Sequence, residues 1–383
     1  MSSAVPVRAP LLAVCALLAA ICGLALPAGA SAGGGRLDAA LDRIIDDPQG
    51  PPGLSVLIQR GSEIDFRRRG VADRKTGAKP KIDSPMRIAS MAKAFNGALA
   101  LSLVSERRIG LDDTVGQWLP GIWPKADAVT VREMLGHTAG LPDYIRQPAF
   151  IEDLTSDPGQ YMTPFELIDY VNDLDVGLPP GESYEYSDSD NIMVGLLVEA
   201  ATGRTYNKLM QNEIYEPVGI RNTSLPDTLA MPKGYMHGYD RNDQGRFEDV
   251  SKFINPALAW ASGGIVSTPA DVNDFFRAYV GGDLFSSKVA RSQNRYVRGR
   301  SSPPGPGRND ATLGLFRYRT RCGTVYGHTG SYPGYRLFAA SSANGKRSVV
   351  FSVNSQIVPG EGSPRVSGLI RRAQADAVCL ALR

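Results

Sequence analysis

Hydrophobic and polar positions follow two different periods along this chain. A period near 3.6 residues, typical of helices with one buried face, occurs near the N-terminus, after Ser90, through the middle of the chain and at the C-terminus. A period of two, typical of half-buried strands, occurs between these regions. The predicted helices cover 36–47, the segment after Ser90, 130–135, 164–174, 192–201, 206–214, 268–279 and 365–382. The predicted strands cover 54–59, 64–71, 313–319, 324–328, 335–340 and 348–354.

The order of these elements predicts an α+β fold. Strands from both ends of the chain would form one antiparallel sheet flanked by the N- and C-terminal helices, and the helical middle would form an inserted domain. We place the first part of the α/β domain at residues 33–110, the inserted helical domain at 111–261 and the second part of the α/β domain at 262–383. A functional site is expected in the cleft between the two domains.

The first 32 residues have the composition of a secretory signal peptide. Arg8 precedes an apolar run from Leu11 to Leu26, and Ala30-Ser31-Ala32 forms a small-residue cleavage site. The run is short for a membrane span. We therefore expect cleavage after Ala32 and a secreted protein in the extracellular or cell-wall space, without a membrane anchor.

Charge and histidine content argue against two classes of protein. A net charge of +3 is too small for the basic surface of a nucleic-acid-binding protein. The three histidines, His137, His237 and His328, lie far apart, and the sequence has no H-E-x-x-H motif, so no metal site is expected. No cofactor is implied, and we expect a monomer.

Cys322 and Cys379 are the two cysteines that remain after removal of the signal peptide. In an oxidising compartment an even pair is expected to form a disulfide, although two independent buried thiols are an alternative. Cys379 lies off the apolar stripe of the last predicted helix, which argues against a simple buried thiol. A disulfide would tie this helix to the strand that leads to His328.

Ser90-Met91-Ala92-Lys93 is the only S-x-x-K motif in the chain, and it stands where a predicted helix begins. A serine needs a base within hydrogen-bond reach and a positive field before it becomes a nucleophile. A lysine three residues later lies on the same helical face, and the free N–H groups of the first turn supply the field. An N-capping serine and a surface lysine are the alternative. About one chance match to S-x-x-K is expected in a chain this long. The interpretation of Ser90 and Lys93 as a catalytic pair therefore depends on two later motifs.

Tyr186-Ser187-Asp188 is the second motif, and a rival motif overlaps it. A phenol near Lys93 can pass the serine's proton to a leaving group. Ser189-Asp190-Asn191 is a literal S-D-N, in which Ser189 would be the shuttle instead. A half-buried tyrosine and an N-cap at Ser189 or Asp190 are the alternatives without chemistry. We predict that Tyr186 is the shuttle and that Ser189 or Asp190 caps the following helix.

His328-Thr329-Gly330 is the third motif, at the end of a predicted strand. Gly330 would let a substrate backbone approach closely, and Thr329 would hydrogen-bond a carboxylate. The N–H groups of Ser90 and Ser331 would form an oxyanion hole. A strand-ending turn is the alternative, and the similar string His137-Thr138-Ala139-Gly140 shows how easily such strings arise.

The three ordered motifs resemble those of the serine β-lactamase and penicillin-binding protein superfamily. They look most like the group of serine D-alanyl-D-alanine carboxypeptidases, class C β-lactamases and related esterases, and the resemblance covers nearly the whole chain after the signal peptide. His328, where lactamases of this group usually carry lysine, and the late cysteine pair are similar to exported carboxypeptidases of Gram-positive filamentous bacteria. The resemblance also includes the segments Val131 to Leu141, Ala261 to Gly264 and Gly327 to Gly330.

The resemblance implies a β-lactamase-type fold and an acyl-enzyme mechanism. Ser90 would attack a carbonyl carbon, Lys93 would be its base, and Tyr186 would relay a proton to the leaving amine before water hydrolyses the acyl-enzyme. Asp188 departs from the family pattern, which has asparagine there. A carboxylate accepts hydrogen bonds but cannot donate them, and near Lys93 it favours the charged ammonium, which is a poorer base.

Three arginines, Arg317, Arg319 and Arg321, alternate along the predicted strand before Cys322. One of them would bind the terminal carboxylate of a D-Ala-D-Ala peptide through two parallel hydrogen bonds, and we assign Arg317 and Arg319 to the substrate site. A solvated strand face is the alternative.

The most specific expectation is a secreted serine D-alanyl-D-alanine carboxypeptidase that acts on peptidoglycan stem peptides, with β-lactams as inhibitors or substrates. A second hypothesis is an esterase, β-lactamase or D-amino-acid amidase on the same scaffold. Release of D-alanine from a D-Ala-D-Ala peptide would distinguish the carboxypeptidase from these enzymes. A third hypothesis is a non-catalytic wall-binding or sensing module. The departure from the family pattern at Asp188 is the feature that supports it.

Overall fold

The fold is described from a computed structural model, which covers residues 32–359 and 363–383. The predicted signal peptide lies outside these ranges except for Ala32. Within them, no helix combines the length and apolar character needed to cross a membrane. The strands are β1 Gly53–Arg60, β2 Glu63–Gly70, β3 Met86–Arg87, β4 Tyr239–Arg241, β5 Phe247–Asp249, β6 Val266–Ser267, β7 Arg308–Ala311, β8 Phe316–Thr320, β9 Gly323–Tyr332, β10 Tyr335–Ser341 and β11 Arg347–Val353.

Thirteen α-helical segments are described, several of them a single turn. They are α1 Ala32–Ile45, α2 Ala92–Ser105, α3 Val115–Trp118, α4 Val131–Leu135, α5 Pro148–Ser156, α6 Pro164–Asp169, α7 Asp188–Thr202, α8 Tyr206–Met210, α9 Glu216–Val218, α10 Trp260–Gly263, α11 Pro269–Gly281, α12 Ser287–Ser292 and α13 Pro364–Leu382. The capping box between Thr130 and Glu133, which starts α4, is one case where local sequence sets a helix boundary.

A seven-stranded sheet forms the centre of the molecule, in the order β2-β1-β11-β10-β9-β8-β7. All of its neighbouring pairs are antiparallel, and β1 from the start of the chain pairs with β11 from its end. One face packs on α1 and α13, and the other packs on a larger core that contains α2, α7 and α11. The predicted α+β fold, with a sheet built from both chain ends, is confirmed. The domain boundaries at 110/111 and 261/262 stay predictions.

Several elements differ from the expectations. The helix expected over 206–214 is interrupted, because a π-helical turn over Gln211–Tyr215 follows α8. The helix expected over 164–174 ends at Asp169. Strand β7 and the β4–β5 hairpin lack a strong alternating pattern and were not predicted.

The Cys322–Cys379 disulfide is present in the structure. Cys322 lies in the turn between β8 and β9, and Cys379 lies on α13. The bond therefore joins the C-terminal helix to the start of the strand that carries His328.

Candidate active site

Ser90 lies in a 3₁₀ turn, Ala89–Met91, between β3 and the start of α2. Its neighbour Ala89 has a φ of 52°, a left-handed conformation that is unusual for a residue with a side chain. Because such a conformation persists only where the surrounding structure holds it, the turn that presents Ser90 is a fixed feature of the fold.

Gly330 of β9 packs directly against this turn. A Cβ atom at Gly330 would lie 2.5 Å from the Ile88 carbonyl oxygen and 3.2 Å from the Ala89 Cβ. We expected Gly330 to make room for a substrate backbone, but its open side faces the chain that leads into Ser90. The glycine is required because the strand and the nucleophile turn meet without space for a side chain.

Lys93 is buried and makes three polar contacts from its Nζ atom. It donates to the Ser90 Oγ at 3.4 Å, to the Ser262 carbonyl oxygen at 2.8 Å and to Asp188 Oδ1 at 2.5 Å. The predicted pairing of Ser90 with Lys93 is thus present as a contact, although the shortest of the three contacts is an ion pair with Asp188.

Asp188 is the first residue of α7, and the loop residue Asp143 supports it. The Asp188 backbone N–H donates to Asp143 Oδ1 at 3.1 Å. Burial, with a smaller contribution from the nearby charge of Asp188, raises the pKa of Asp143 to about 7, while the Asp188 N–H, Lys93 and Arg146 oppose the shift. A carboxyl group that changes charge near neutral pH therefore lies behind the ion pair of the site.

The Tyr186 ring lies against the same lysine, with Nζ 5.0 Å from the ring centroid. Its hydroxyl is buried and makes no hydrogen bond to the described residues. Burial raises the pKa of Tyr186 and the charge of Asp188 raises it further, while the neighbouring Ser90 hydroxyl opposes both. The phenol is therefore protonated at neutral pH, and its proton is available for transfer.

His137 and Asp190 lie beside Tyr186, although the sequence analysis assigned neither of them to the site. The His137 ring lies 4.5 Å from the Tyr186 ring, and its Nδ1 lies 2.8 Å from Asp190 Oδ2. Burial lowers the pKa of His137 and raises that of Asp190. The string His137-Thr138-Ala139-Gly140 was the available signal. It was included in the family resemblance and also taken as an example of how easily such strings arise, but His137 was given no role.

The predicted N-cap role of Ser189 or Asp190 is wrong. Helix α7 begins two or three residues earlier than a cap at Ser189 or Asp190 required, with Ser187 at the N-cap. Ser189 donates to the Pro142 carbonyl oxygen at 2.7 Å and accepts from the Tyr144 N–H at 3.0 Å. Its hydroxyl thus fixes a loop to α7, while Tyr186 is the residue beside Lys93.

His328 and Thr329 are both buried on β9. His328 Nδ1 lies 2.5 Å from the Thr329 carbonyl oxygen, to which it can donate in one tautomer. Burial lowers the pKa of His328 to about 3, so the ring carries no charge at neutral pH. The Thr329 hydroxyl, which we expected to bind a carboxylate, donates to the Pro303 carbonyl oxygen at 2.8 Å.

Ser331, the second predicted contributor to the oxyanion hole, lies on β9 beyond the part that pairs with β8. That part ends at Gly327, whereas pairing with β10 continues to Tyr332. The Ser331 hydroxyl accepts from Gln356 Nε2 at 3.1 Å. The segment from His328 to Tyr332 therefore has a strand edge that β8 does not cover.

Each of the three candidate arginines contacts a carboxylate of the fold. Arg317 and Arg319 both bind Asp310, at 2.6 Å and 3.1 Å, and the Arg317 guanidinium also stacks on Tyr296. Arg321 binds Asp376 of α13. Their arrangement fits the alternative of a strand face held by ion pairs, and a substrate carboxylate would have to compete with these partners.

The part of the chain that the structure describes contains no group of three or more histidine, cysteine, aspartate or glutamate side chains able to hold a metal ion.

The sequence model of the family described as Beta-lactamase matches residues 41–368. This chain belongs to the Beta-lactamase family. The sequence-based resemblance to the serine β-lactamase and penicillin-binding protein superfamily is confirmed, and the protein is a serine hydrolase of this superfamily.

The curated relatives that this chain resembles include a penicillin-binding protein and an esterase. Penicillin-binding protein 4* of Bacillus subtilis (strain 168) is 24% identical over 319 residues, which are 79% of this chain and 68% of the relative. Esterase EstB of Burkholderia gladioli is 28% identical over 211 residues, which are 51% of this chain and 54% of the esterase. The match thus spans little more than half the length of the esterase.

Solved structures align over more of the chain. A D-stereospecific amidohydrolase from Streptomyces sp. has a TM-score of 0.77 and 28% identity, covering 89% of this chain and 98% of its own. D-amino acid amidase from Ochrobactrum anthropi SV3, in complex with L-phenylalanine amide, has a TM-score of 0.78 and 25% identity. The alignment covers 91% of this chain and 98% of the amidase.

Proposed function

We propose that this protein hydrolyses amide bonds next to a D-amino acid residue through an acyl-enzyme on Ser90. The observation that carries the proposal is the contact of Lys93 Nζ with the Ser90 Oγ at 3.4 Å, with the Tyr186 phenol beside it. The similarity to a D-stereospecific amidohydrolase and a D-amino acid amidase over 98% of each of those chains supports the choice of an amide and of D configuration.

The reaction is proposed in two halves. The Ser90 Oγ attacks the carbonyl carbon as its proton passes to Lys93, which can accept it only after giving up a proton of its ion pair with Asp188. The N–H groups of Ser90 and Ser331 stabilise the oxyanion. The carbon–nitrogen bond then breaks, and the amine leaves with a proton relayed through Tyr186. Water attacks the resulting ester and releases the acid, which restores the Ser90 hydroxyl.

A second candidate is the D-alanyl-D-alanine carboxypeptidase expected from the sequence, acting on peptidoglycan stem peptides. The motif Gly327-His328-Thr329-Gly330 and the Cys322–Cys379 disulfide favour it, because both resemble exported carboxypeptidases. Its substrate has a terminal carboxylate, for which the ion-paired Arg317 and Arg319 are poor partners. We therefore place it second, ahead of esterase and β-lactamase activity.

We also propose that the protein acts outside the cytoplasm as a monomer, after cleavage behind Ala32. The support is the composition of residues 1–32 and the pairing of Cys322 with Cys379, since disulfides persist in oxidising compartments. Mass spectrometry of the protein recovered from the culture medium of an expressing host tests this, with an N-terminus at Gly33 as the expected result.

The test of the activity is an intact-mass time course of wild type and Ser90→Ala. Incubation with D-phenylalanine amide, with a D-Ala-D-Ala peptide and with benzylpenicillin is followed by assay of ammonia, D-alanine and drug consumption. Ammonia release that requires Ser90 supports the amidase, and D-alanine release supports the carboxypeptidase. Lack of turnover and of any adduct on Ser90 with all three compounds would contradict both.

A further inference from the structure

The carboxylate of Asp188 has one oxygen bound by the protein. Asp188 Oδ1 accepts from Lys93 Nζ at 2.5 Å, whereas Oδ2 accepts no hydrogen bond from the residues that the structure describes. The side chain is 12% exposed, in contrast to 1% for Lys93. One carboxylate oxygen beside the nucleophile is therefore left to accept a hydrogen bond from a bound molecule.

The groups around Asp188 favour a substrate that presents a hydrogen-bond donor to this carboxylate. A carboxylate can only accept, and Asp143 and Asp190 bring two further carboxyl groups to the same region. Lys93 is the cation in direct contact, and Asp188 itself pairs with it. Burial keeps the rings of His137 and His328 uncharged, so neither offers a positive charge to an anionic substrate.

The cations that a substrate carboxylate would need are held elsewhere. Arg317 and Arg319 bind Asp310, and Arg146 lies 3.4 Å from Asp143. A substrate with a free carboxylate near the scissile bond would thus meet acceptors and ion-paired cations. A substrate with an ammonium group would meet an oxygen that is able to accept from it.

We propose that Asp188 is a specificity-determining residue that selects substrates with a free α-ammonium next to the scissile carbonyl. The substrate class is the unblocked amide or ester of a D-amino acid, whose ammonium donates to Asp188 Oδ2. N-acylated derivatives, which have lost the charge, and peptides with a carboxylate in the leaving group are disfavoured. This inference rests on the proposed function and narrows it.

The experiment compares kcat/KM for D-phenylalanine amide and for its N-acetyl derivative in wild type, Asp188→Asn and Asp243→Asn. Asp243 is an exposed residue in the turn between β4 and β5, so its variant matches the change in net charge. A charge-assisted hydrogen bond predicts that wild type prefers the free ammonium by about 10- to 100-fold. Asp188→Asn should lose most of this preference, and Asp243→Asn should keep it.

An equal preference in wild type and Asp188→Asn would overturn the inference, as would a wild type that favours the N-acetyl compound. Acylation by p-nitrophenyl acetate, a small ester with no charge, separates this result from failure of the proposed function. If the ester acylates Ser90 while the preference is independent of Asp188, only the specificity role fails. If neither ester nor amide acylates Ser90, the proposed function fails and the specificity role with it.

Discussion

Lys93 Nζ lies closer to Asp188 than to the serine it is expected to activate. The distance is 2.5 Å to Asp188 Oδ1 and 3.4 Å to the Ser90 Oγ. An ammonium group held in an ion pair has no lone pair with which to accept the serine proton. The carboxylate that stands here, where the resemblance implies asparagine, therefore contacts the expected base of the site directly.

Replacing Asp188 with asparagine should increase the acylation rate with an uncharged ester. The amide carries no negative charge, so Lys93 Nζ would no longer be held in an ion pair and would be freer to contact the Ser90 Oγ and take its proton. The expected gain is about tenfold in kcat/KM for p-nitrophenyl acetate near pH 7, because one charged partner of the lysine is lost. An unchanged rate would argue that the ion pair does not limit the reaction.

Tyr186→Phe should cost far more activity than Ser189→Ala. Loss of a proton relay lowers turnover by about 10²- to 10⁴-fold, while stability is kept because the Tyr186 hydroxyl makes no hydrogen bond to the described residues. Ser189→Ala removes the contacts to Pro142 and Tyr144 and should lower the free energy of unfolding by about 1–3 kcal/mol. Steady-state kinetics and urea denaturation of both variants check this, and the reverse ranking of activities would refute the assignment of Tyr186.

Gly330→Ala should disable the nucleophile turn. Its Cβ would lie 2.5 Å from the Ile88 carbonyl oxygen, so β9 and the turn that contains Ser90 must move apart. A displacement of this size costs about 100-fold in acylation rate. Gly368→Ala on α13 is the matched control, since its nearest contact would be the end of the Arg372 side chain at 3.6 Å. Equal acylation rates in the two variants, measured by intact mass, would show that β9 does not position Ser90.

Asp143→Asn should change how stability depends on pH. The pKa of Asp143 is raised to about 7 in the folded protein, so between its ordinary pKa near 4 and pH 7 the folded state binds more protons than the unfolded state. Wild type thus loses stability as pH rises through this window, and the loss is complete above pH 7. The variant lacks this loss and should gain on the order of 4 kcal/mol relative to wild type between pH 4 and pH 8, since each of roughly three pKa units corresponds to about 1.4 kcal/mol.

Urea denaturation across pH 4 to 8 measures this difference, with Asp243→Asn as the control for an exposed carboxylate. Parallel pH curves for wild type and Asp143→Asn would mean that Asp143 is ionised at neutral pH in the folded protein. In that case Asp143 would carry a negative charge beside the Lys93–Asp188 pair throughout the neutral pH range.

Removing the disulfide should lower stability without removing the site. Cys322 and Cys379 are separated by 57 residues, and a cross-link over such a loop contributes about 2–4 kcal/mol. The Cys322→Ala/Cys379→Ala double variant should unfold at lower urea concentration and keep the acylation rate at Ser90. A loss of acylation in a variant that is still folded would instead show that α13 supports the geometry of β9.

The sequence by itself determined the elements whose geometry comes from a regular period. Strands β1 and β2 follow alternating residues around a short turn, and the cap at Thr130 starts α4 where it was predicted. The spacing of Ser90 and Lys93 was enough to place both on one face of a turn, because three residues nearly complete a helical turn. The α+β fold followed from the order of the predicted helices and strands, and the family followed from three motifs in order.

Only the tertiary structure decided which distant groups meet around those two residues. Asp143 and Asp188 are 45 residues apart, and the contact of Gly330 with Ile88 joins β9 to the start of the turn that contains Ser90, more than 200 residues earlier in the chain. The His137 ring packs against the Tyr186 ring, although the sequence analysis gave His137 no role. Arg317 binds Asp310 on the neighbouring strand. Local periodicity sets the path of one helix or hairpin, whereas these contacts depend on how side chains pack between elements, which no spacing along the sequence encodes.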